Sequence, residues 1–296
     1  MDLVRYLSES KKLVDAAILE LLPGEESYPQ GIHKSMRYSV LAGGKRLRPI
    51  LVMAAAEAVG GDRQSVLPFA VAAELIHTYT LIHDDLPALD NDDFRRGKPT
   101  NHKVFGEAVA ILAGDALLTQ AFILMTHGQL METLPPKDIL KAAHEMAEAL
   151  GSAGIIGGQV VDLESEGKPI DPETLEYIHI YKTGFLIRAC IRCGAILNRA
   201  STEQLSALSR YGSHIGLAFQ IIDDILDITG DEKMLGKDVG SDIEKKKATY
   251  PSLYGMEESK RKAENLVKES IACLESFDNR ADPLREIARY FVQRTF

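Results

Sequence analysis

Apolar side chains recur at three- and four-residue spacing along almost the whole chain, and almost nowhere at spacing two. The first period belongs to α-helices and the second to half-buried strands, so strands are not expected. The helical segments read this way are 3–22, 31–42, 49–59, 65–86, 104–127, 137–150, 172–198, 202–229 and 257–276. Breaks fall at Pro23-Gly24, Gly43-Gly44, Gly60-Gly61 and Pro135-Pro136, and over Gly167 to Pro172 and Gly230 to Gly240. Segments 67–83 and 215–228 are apolar most of the way round, which marks interior helices. No long polar linker divides the chain. The expectation is an all-α protein, one large helical bundle over residues 1–296 built around a central cavity.

Two of these helical segments end in aspartates: Asp84, Asp85 and Asp90 in IHDDLPALD, and Asp223, Asp224 and Asp227 in QIIDDILD. With 20 aspartates in 296 residues, a given DDxxD spacing arises by chance about 0.1 times. Two are therefore hard to read as solvated acidic turns. In the second cluster Gln220, Asp223, Asp224 and Asp227 fall at i, i+3, i+4 and i+7, one helix face. Asp223 and Asp227 then stand about 6 Å apart along the axis. Like charges at that spacing destabilise a bare helix, so a cation is implied. Mg²⁺ is the usual choice where carboxylates meet a phosphate substrate. In the first cluster Pro87 breaks the last helical turn, which lets Asp90 come round toward Asp84 despite the wider spacing. The two clusters lie in opposite halves of the chain, and facing helices would bring them together.

Charge and cysteines narrow the classes. Lys and Arg number 34 against 43 Asp and Glu, a net charge of −9, which argues against a nucleic-acid partner. Positive charge is local instead, in GGKRLRP (Lys45, Arg46, Arg48) and FRRGK (Arg95, Arg96, Lys98). No uninterrupted apolar run reaches the ~18 residues of a membrane span. The start, MDLVRYLSESKK, lacks the pattern of a signal peptide, so the expected location is the cytoplasm. Cys190-x-x-Cys193 looks like half a zinc or redox motif but has no second pair of ligands. Packing inside an apolar helix is the preferred reading for it.

Taken in order, the motifs resemble the trans-isoprenyl diphosphate synthases, most closely the bacterial farnesyl and geranylgeranyl diphosphate synthases. They are GGKRLRP at 43–49, HTYTLIHDDLPALDNDDFRRGKPTNH at 77–102, AGDALL at 113–118, GGQVVD at 157–162, YKTG at 181–184, FQIIDDILD at 219–227, GKDVGSD at 236–242 and KATYP at 247–251. The resemblance implies the isoprenoid-synthase fold, a homodimer, and Mg²⁺, on the order of three ions per active site. It also implies a head-to-tail condensation. An allylic diphosphate ionises, the double bond of isopentenyl diphosphate attacks the cation, and a proton is lost. Carried over by residue, the metal ligands are Asp84, Asp85, Asp90, Asp223, Asp224 and Asp227, with Asp85 and Asp224 open to an indirect role. Arg95, Lys182, Thr183, Gln220, Lys237 and Lys247 would meet the allylic substrate. Lys45, Arg48, His77 and Arg96 would meet isopentenyl diphosphate. Of these, Asp84, Asp90, Arg95, Lys182, Asp223 and Lys237 would carry the ionisation. In such enzymes the residue five before the first aspartate helps form the floor of the elongation pocket. Here it is Tyr79, with Thr80 beside it, about 7–8 Å deeper along the helix than Asp84. An aromatic at that place resembles the farnesyl synthases, with the geranylgeranyl product as the alternative. Two features depart from the pattern: Phe94 stands where Leu is common, and only Arg294 in the short C-terminal FVQRTF could help cover the isopentenyl site.

Other classes compete. A class I terpene cyclase also ionises a diphosphate, but has no use for Lys45, Arg48 and His77. A non-catalytic subunit of a heteromeric synthase would not need both acidic motifs. Glu74-x-x-His77 and Glu176-x-x-His179 are the ExxH pairs of helical di-iron proteins. Chance supplies about 0.6 such pairs in a chain of this composition, so two carry little weight.

Overall fold

Several helices begin where local chemistry starts them. The Asp2 side chain accepts from the Arg5 amide at the head of α1, Leu3–Leu21. Pro68 sits in the first turn of α4, Leu67–Asp84, where a missing amide costs nothing. Between them lie α2, Gln30–Val40, and α3, Leu47–Ala58. After α4 come α5, Asn101–Phe105, α6, Glu107–Met125, α7, Gly128–Thr133, α8, Pro136–Leu150, and α9, Ile155–Ser165. The Asp171 carboxylate caps α10, Pro172–Ile178, by accepting from Thr174 N at 2.7 Å. A π-helical turn, His179–Gly184, joins α10 to α11, Phe185–Leu197. The longest helix is α12, Thr202–Thr229. Thr249 and Ser252 form a reciprocal capping box on α13, Tyr250–Tyr254, and α14, Met256–Ala272, and α15, Asp282–Gln293, follow. The computed structural model describes residues 1–229 and 248–293. Lys237, Lys247, Arg294 and the 236–242 motif therefore lie outside the described residues.

The all-α expectation holds, with one addition. Among the described residues the β structure is a single hairpin, β1, Phe94–Arg95, against β2, Lys98–Pro99. Its turn residues Arg96 and Gly97 both have positive φ, 54° and 73°, as a tight two-residue hairpin requires. So short a strand leaves no periodicity to read. α9 was also hidden, because Gly157-Gly158 looks like a break in sequence yet continues the helix.

The interior is built where the apolar-all-round segments predict. α4 packs on α3 and α6, and α11 packs on α3, α8 and α12. Phe69, Leu75 and Ile76 of α4, Ile50 and Met53 of α3, Ile187 and Ile191 of α11 and Ile215 of α12 are fully enclosed. The Tyr211 hydroxyl, also enclosed, donates to Leu284 O at 2.7 Å. Cys190 and Cys193 belong to this core, and burial pushes the Cys190 thiol up to about 12. An 18-residue window within Glu107–Thr133 has a mean hydropathy of 1.9, enough for a span by length and composition alone. Asp115 interrupts it, so no uninterrupted apolar run of that length is present there. The segment is not one rod, since α6 ends at Met125, and its inner face lies on α4.

Candidate active site

α4 and α12 deliver both acidic clusters to one cavity of about 1150 Å³, where Asp84, Asp90, Asp223 and Asp224 form part of the wall. α4 ends at Asp84. The chain then doubles back through Pro87 so that the Asp90 amide donates to the Asp84 carbonyl at 2.8 Å. This is the return that the wide spacing needed. Asn91 completes it, at φ 52° with its amide on Leu86 O.

The middle carboxylates are held by protein donors. Asp85 is 3% exposed and accepts from Arg95 Nε at 2.5 Å. Arg95 also reaches Asp92 at 3.2 Å. Burial pushes the Asp85 carboxyl up to about 7, Arg95 pulls it down, and Asp92 and Asp84 add to the rise. Asp224, also 3% exposed, accepts from His179 Nε2 at 2.8 Å, the Tyr250 amide at 2.9 Å and Gln220 Nε2 at 3.4 Å. Asp227 is 1% exposed. On α12 it follows Asp223 by one turn, about 40° round the helix and between Asp223 and Asp224.

The basic wall comes from two segments that touch. Arg96 Nη1 donates to Gly43 O, and a Cβ on Gly44 (φ 120°) would stand 2.8 Å from the Arg96 guanidinium carbon. Glycine there is what lets FRRGK lie over GGKRLRP. Arg48 Nε is buried and has no hydrogen-bond partner among the described residues. A guanidinium N–H left that way is costly, and an anion reaching it from the cavity would offset the cost. Burial, with Arg48, Arg96 and Arg95 close by, holds His77 well below the usual histidine range, so its imidazole is neutral near pH 7. Arg46, counted in sequence with the other cations, has a different task. It is 3% exposed, at φ 54°, and donates to Asp15 at 2.8 Å, Glu74 at 2.7 Å and Val40 O at 2.8 Å.

On the facing side the π-helical turn presents Lys182 and Thr183, and Lys182 Nζ meets Asp162 of α9 at 2.6 Å. Gln220 lies on the same wall. Deeper in, Tyr79 is 7% exposed, and its ring stands edge-on to His83 with centroids 5.8 Å apart. Burial and Asp84 push the Tyr79 hydroxyl up to about 12. Thr80 lies beside it, its hydroxyl on His77 O at 2.8 Å.

Sequence reasoning did not single out Asp162, His179 as a partner of Asp224, Asp15 or His83. Asp162 stood in the GGQVVD motif, and His179 was visible only as half of an ExxH pair. Neither position announces its partner, which lies 20 residues away for Asp162 and 45 for His179. The ExxH residues also answer the di-iron reading: Glu74 holds Arg46, Glu176 accepts from the Tyr250 hydroxyl at 3.3 Å, and His179 holds Asp224. Among the described residues no three carboxylate, imidazole or thiol side chains converge to make a metal centre alone. Carboxylates on a cavity wall are the oxygen ligands that Mg²⁺ takes, one or two to an ion, with water and phosphate oxygens completing the shell. Asp84, Asp90 and Asp223 are the residues that would hold it.

The cavity thus has acidic side chains on one wall and basic ones on another, an arrangement that suits a metal ion and a diphosphate. Residues 29–287 match the polyprenyl synthetase family, and the chain belongs to that family. It is a trans-prenyltransferase acting on isoprenyl diphosphates, and the family is generally metal-dependent. The chain is 49% identical over 258 residues to the farnesyl diphosphate synthase of Geobacillus stearothermophilus, covering 87% of this chain and 86% of that one. It is 48% identical over 294 residues to the geranylgeranyl diphosphate synthase of Cyanophora paradoxa, covering 99% and 97%. The solved FPP/GFPP synthase of Zymomonas mobilis superposes with a TM-score of 0.88 at 39% identity over 98% of this chain and 99% of that one. Identity alone thus stands even between the products.

Proposed function

We propose that the protein is a farnesyl diphosphate synthase, a single synthase domain that extends dimethylallyl and then geranyl diphosphate with isopentenyl diphosphate. Asp84, Asp90 and Asp223 hold Mg²⁺, with Asp85, Asp224 and Asp227 fixing their surroundings. Bound Mg²⁺ supplies the positive charge that offsets the charge gathering on the departing diphosphate. Arg95, Lys182, Thr183 and Gln220 bind the allylic diphosphate. Lys45, Arg48, His77 and Arg96 bind isopentenyl diphosphate, supported by the buried Arg48 Nε, which has no hydrogen-bond partner among the described residues. As the C–O bond of the allylic substrate breaks, the apolar depth of the cavity keeps water from the cation. The double bond of isopentenyl diphosphate then forms the new C–C bond, and the resulting cation loses a proton to regenerate a double bond, with diphosphate as the leaving group. Three free thiols suit a reducing compartment, and we assign the enzyme to the cytoplasm.

One observation supports the product length: the buried Tyr79 lines the cavity, five residues before Asp84 on α4. A fifteen-carbon chain would stop against it. Tyr79→Ala is expected to shift products toward twenty carbons or longer, read by chromatography after dephosphorylation. A distribution unchanged from wild type, with the fold intact, removes Tyr79 as the stop.

The same reading includes a homodimer. Ile111, Leu112 and Ile123 on the outer face of α6 are 45%, 57% and 53% exposed. An apolar stripe of that kind favours burial against a second copy. Sedimentation is expected to give a dimer at micromolar concentration, and Leu112→Glu to shift it toward monomer. A wild-type monomer at that concentration contradicts the dimer.

A further inference from the structure

His83 lies between Tyr79 and α6, and nothing in the reaction as described uses it. Tyr79 and His83 are four residues apart on α4, hence on one face, and both line the cavity. Their rings meet edge to face, the planes at 79°, an arrangement aromatic rings favour. On its other side His83 Nε2 is 3.0 Å from the carbonyl of Ile111 in α6. A carbonyl oxygen only accepts, so Nε2 carries the hydrogen. The ring is seated on α6 at Gly114, where an added Cβ would stand 2.1 Å from Nε2 and 2.5 Å from Cδ2. No real side chain fits there without moving the imidazole.

We infer that His83 is a positioning residue for product length: seated in the socket at Gly114 and tied to the Ile111 carbonyl, it holds the Tyr79 ring in place as the floor of the elongation pocket. The inference rests on the reading of Tyr79 as that floor and deepens it. Tyr79 lines the cavity with its ring against His83. Removing the imidazole opens space beside the tyrosine, on the side toward Asp84, and frees its ring to swing. Driving the imidazole off α6 pushes it, and the tyrosine with it, into the pocket.

The two changes should act in opposite directions. With geranyl diphosphate and labelled isopentenyl diphosphate, His83→Ala is expected to raise the ratio of twenty- to fifteen-carbon product by ~10-fold, the scale of selectivity that small changes in an apolar pocket produce. Gly114→Ala is expected to shorten products when dimethylallyl diphosphate is the primer, raising the ten-carbon share. The double variant His83→Ala/Gly114→Ala should restore the distribution of His83→Ala alone, because no ring remains to be displaced. Such non-additivity is the mark of two residues in contact. A His83 that merely joined α4 to α6 would change yield and thermal midpoint in these variants but not chain length. Should His83→Ala fold poorly, His83→Gln keeps an N–H donor for Ile111 O without the ring, and lengthening is expected there too. Unchanged chain length in the folded His83 variants, while Tyr79→Ala lengthens products, overturns the inference and leaves the farnesyl reading standing. Unchanged length in both Tyr79→Ala and the His83 variants overturns the floor itself, and the inference with it.

Discussion

Replacing Asp84 or Asp223 by alanine is expected to lower turnover by ~10²-fold or more, the scale of losing one preorganised stabiliser of developing charge. The expectation comes from position. Both carboxylates stand half-buried on the cavity wall, one at the end of α4 and one in α12. Neither belongs to the apolar core, so helical content by circular dichroism should hardly change. Removing one of several neighbouring like charges even relieves repulsion along the helix. The loss should appear in kcat as well as kcat/KM, because the charge being stabilised develops only as the C–O bond breaks. Asp224 provides the contrast. Its carboxylate holds His179 and the Tyr250 amide, so its replacement should cost stability together with activity. Steady-state rates beside thermal unfolding curves separate the two cases. An Asp84→Ala or Asp223→Ala enzyme within a few-fold of wild type contradicts their assignment.

Glu74→Ala is expected to cost about 3 kcal/mol of stability, the lower end for breaking a buried ion pair. Glu74 and Arg46 have side-chain exposures of 1% and 2% and meet at 2.7 Å. Without the carboxylate, Arg46 keeps only Asp15, itself 36% exposed, and the Val40 carbonyl. That residual partner is why the lower figure applies. Arg46 also starts α3 from a left-handed φ of 54°, a conformation that a non-glycine residue holds only when fixed by its surroundings. Freed, it would loosen the loop that carries Lys45 and Arg48, so the affinity for isopentenyl diphosphate should fall as well. Urea unfolding at fixed protein concentration tests this, with Glu74→Gln as the milder control that keeps one acceptor. A loss under about 1 kcal/mol contradicts a structural role for the pair.

How far the sequence was legible depends on whether the informative contact is local. The DDx₄D return was readable because Pro87 and the Asp84–Asp90 contact lie within one turn. The helices were readable because burial on one face repeats at the helical period. Arg46 was not readable. It sits between Lys45 and Arg48 in a run that looks uniformly basic, yet its left-handed backbone turns it inward to partners 31 and 28 residues distant. Glu74 was misleading for the same reason, since a glutamate three residues before a histidine looks like a ligand until its actual partner is seen. α9 was obscured by two glycines, and the hairpin by its brevity. The socket at Gly114 needed the packing of α6 on α4, which no spacing along either helix encodes.

The most direct test is product analysis of the purified full chain with geranyl diphosphate, labelled isopentenyl diphosphate and Mg²⁺, alone and with excess chelator. The account predicts a labelled fifteen-carbon alcohol after dephosphorylation, lost when the metal is chelated. Full activity in excess chelator, or no label entering any longer chain, contradicts it.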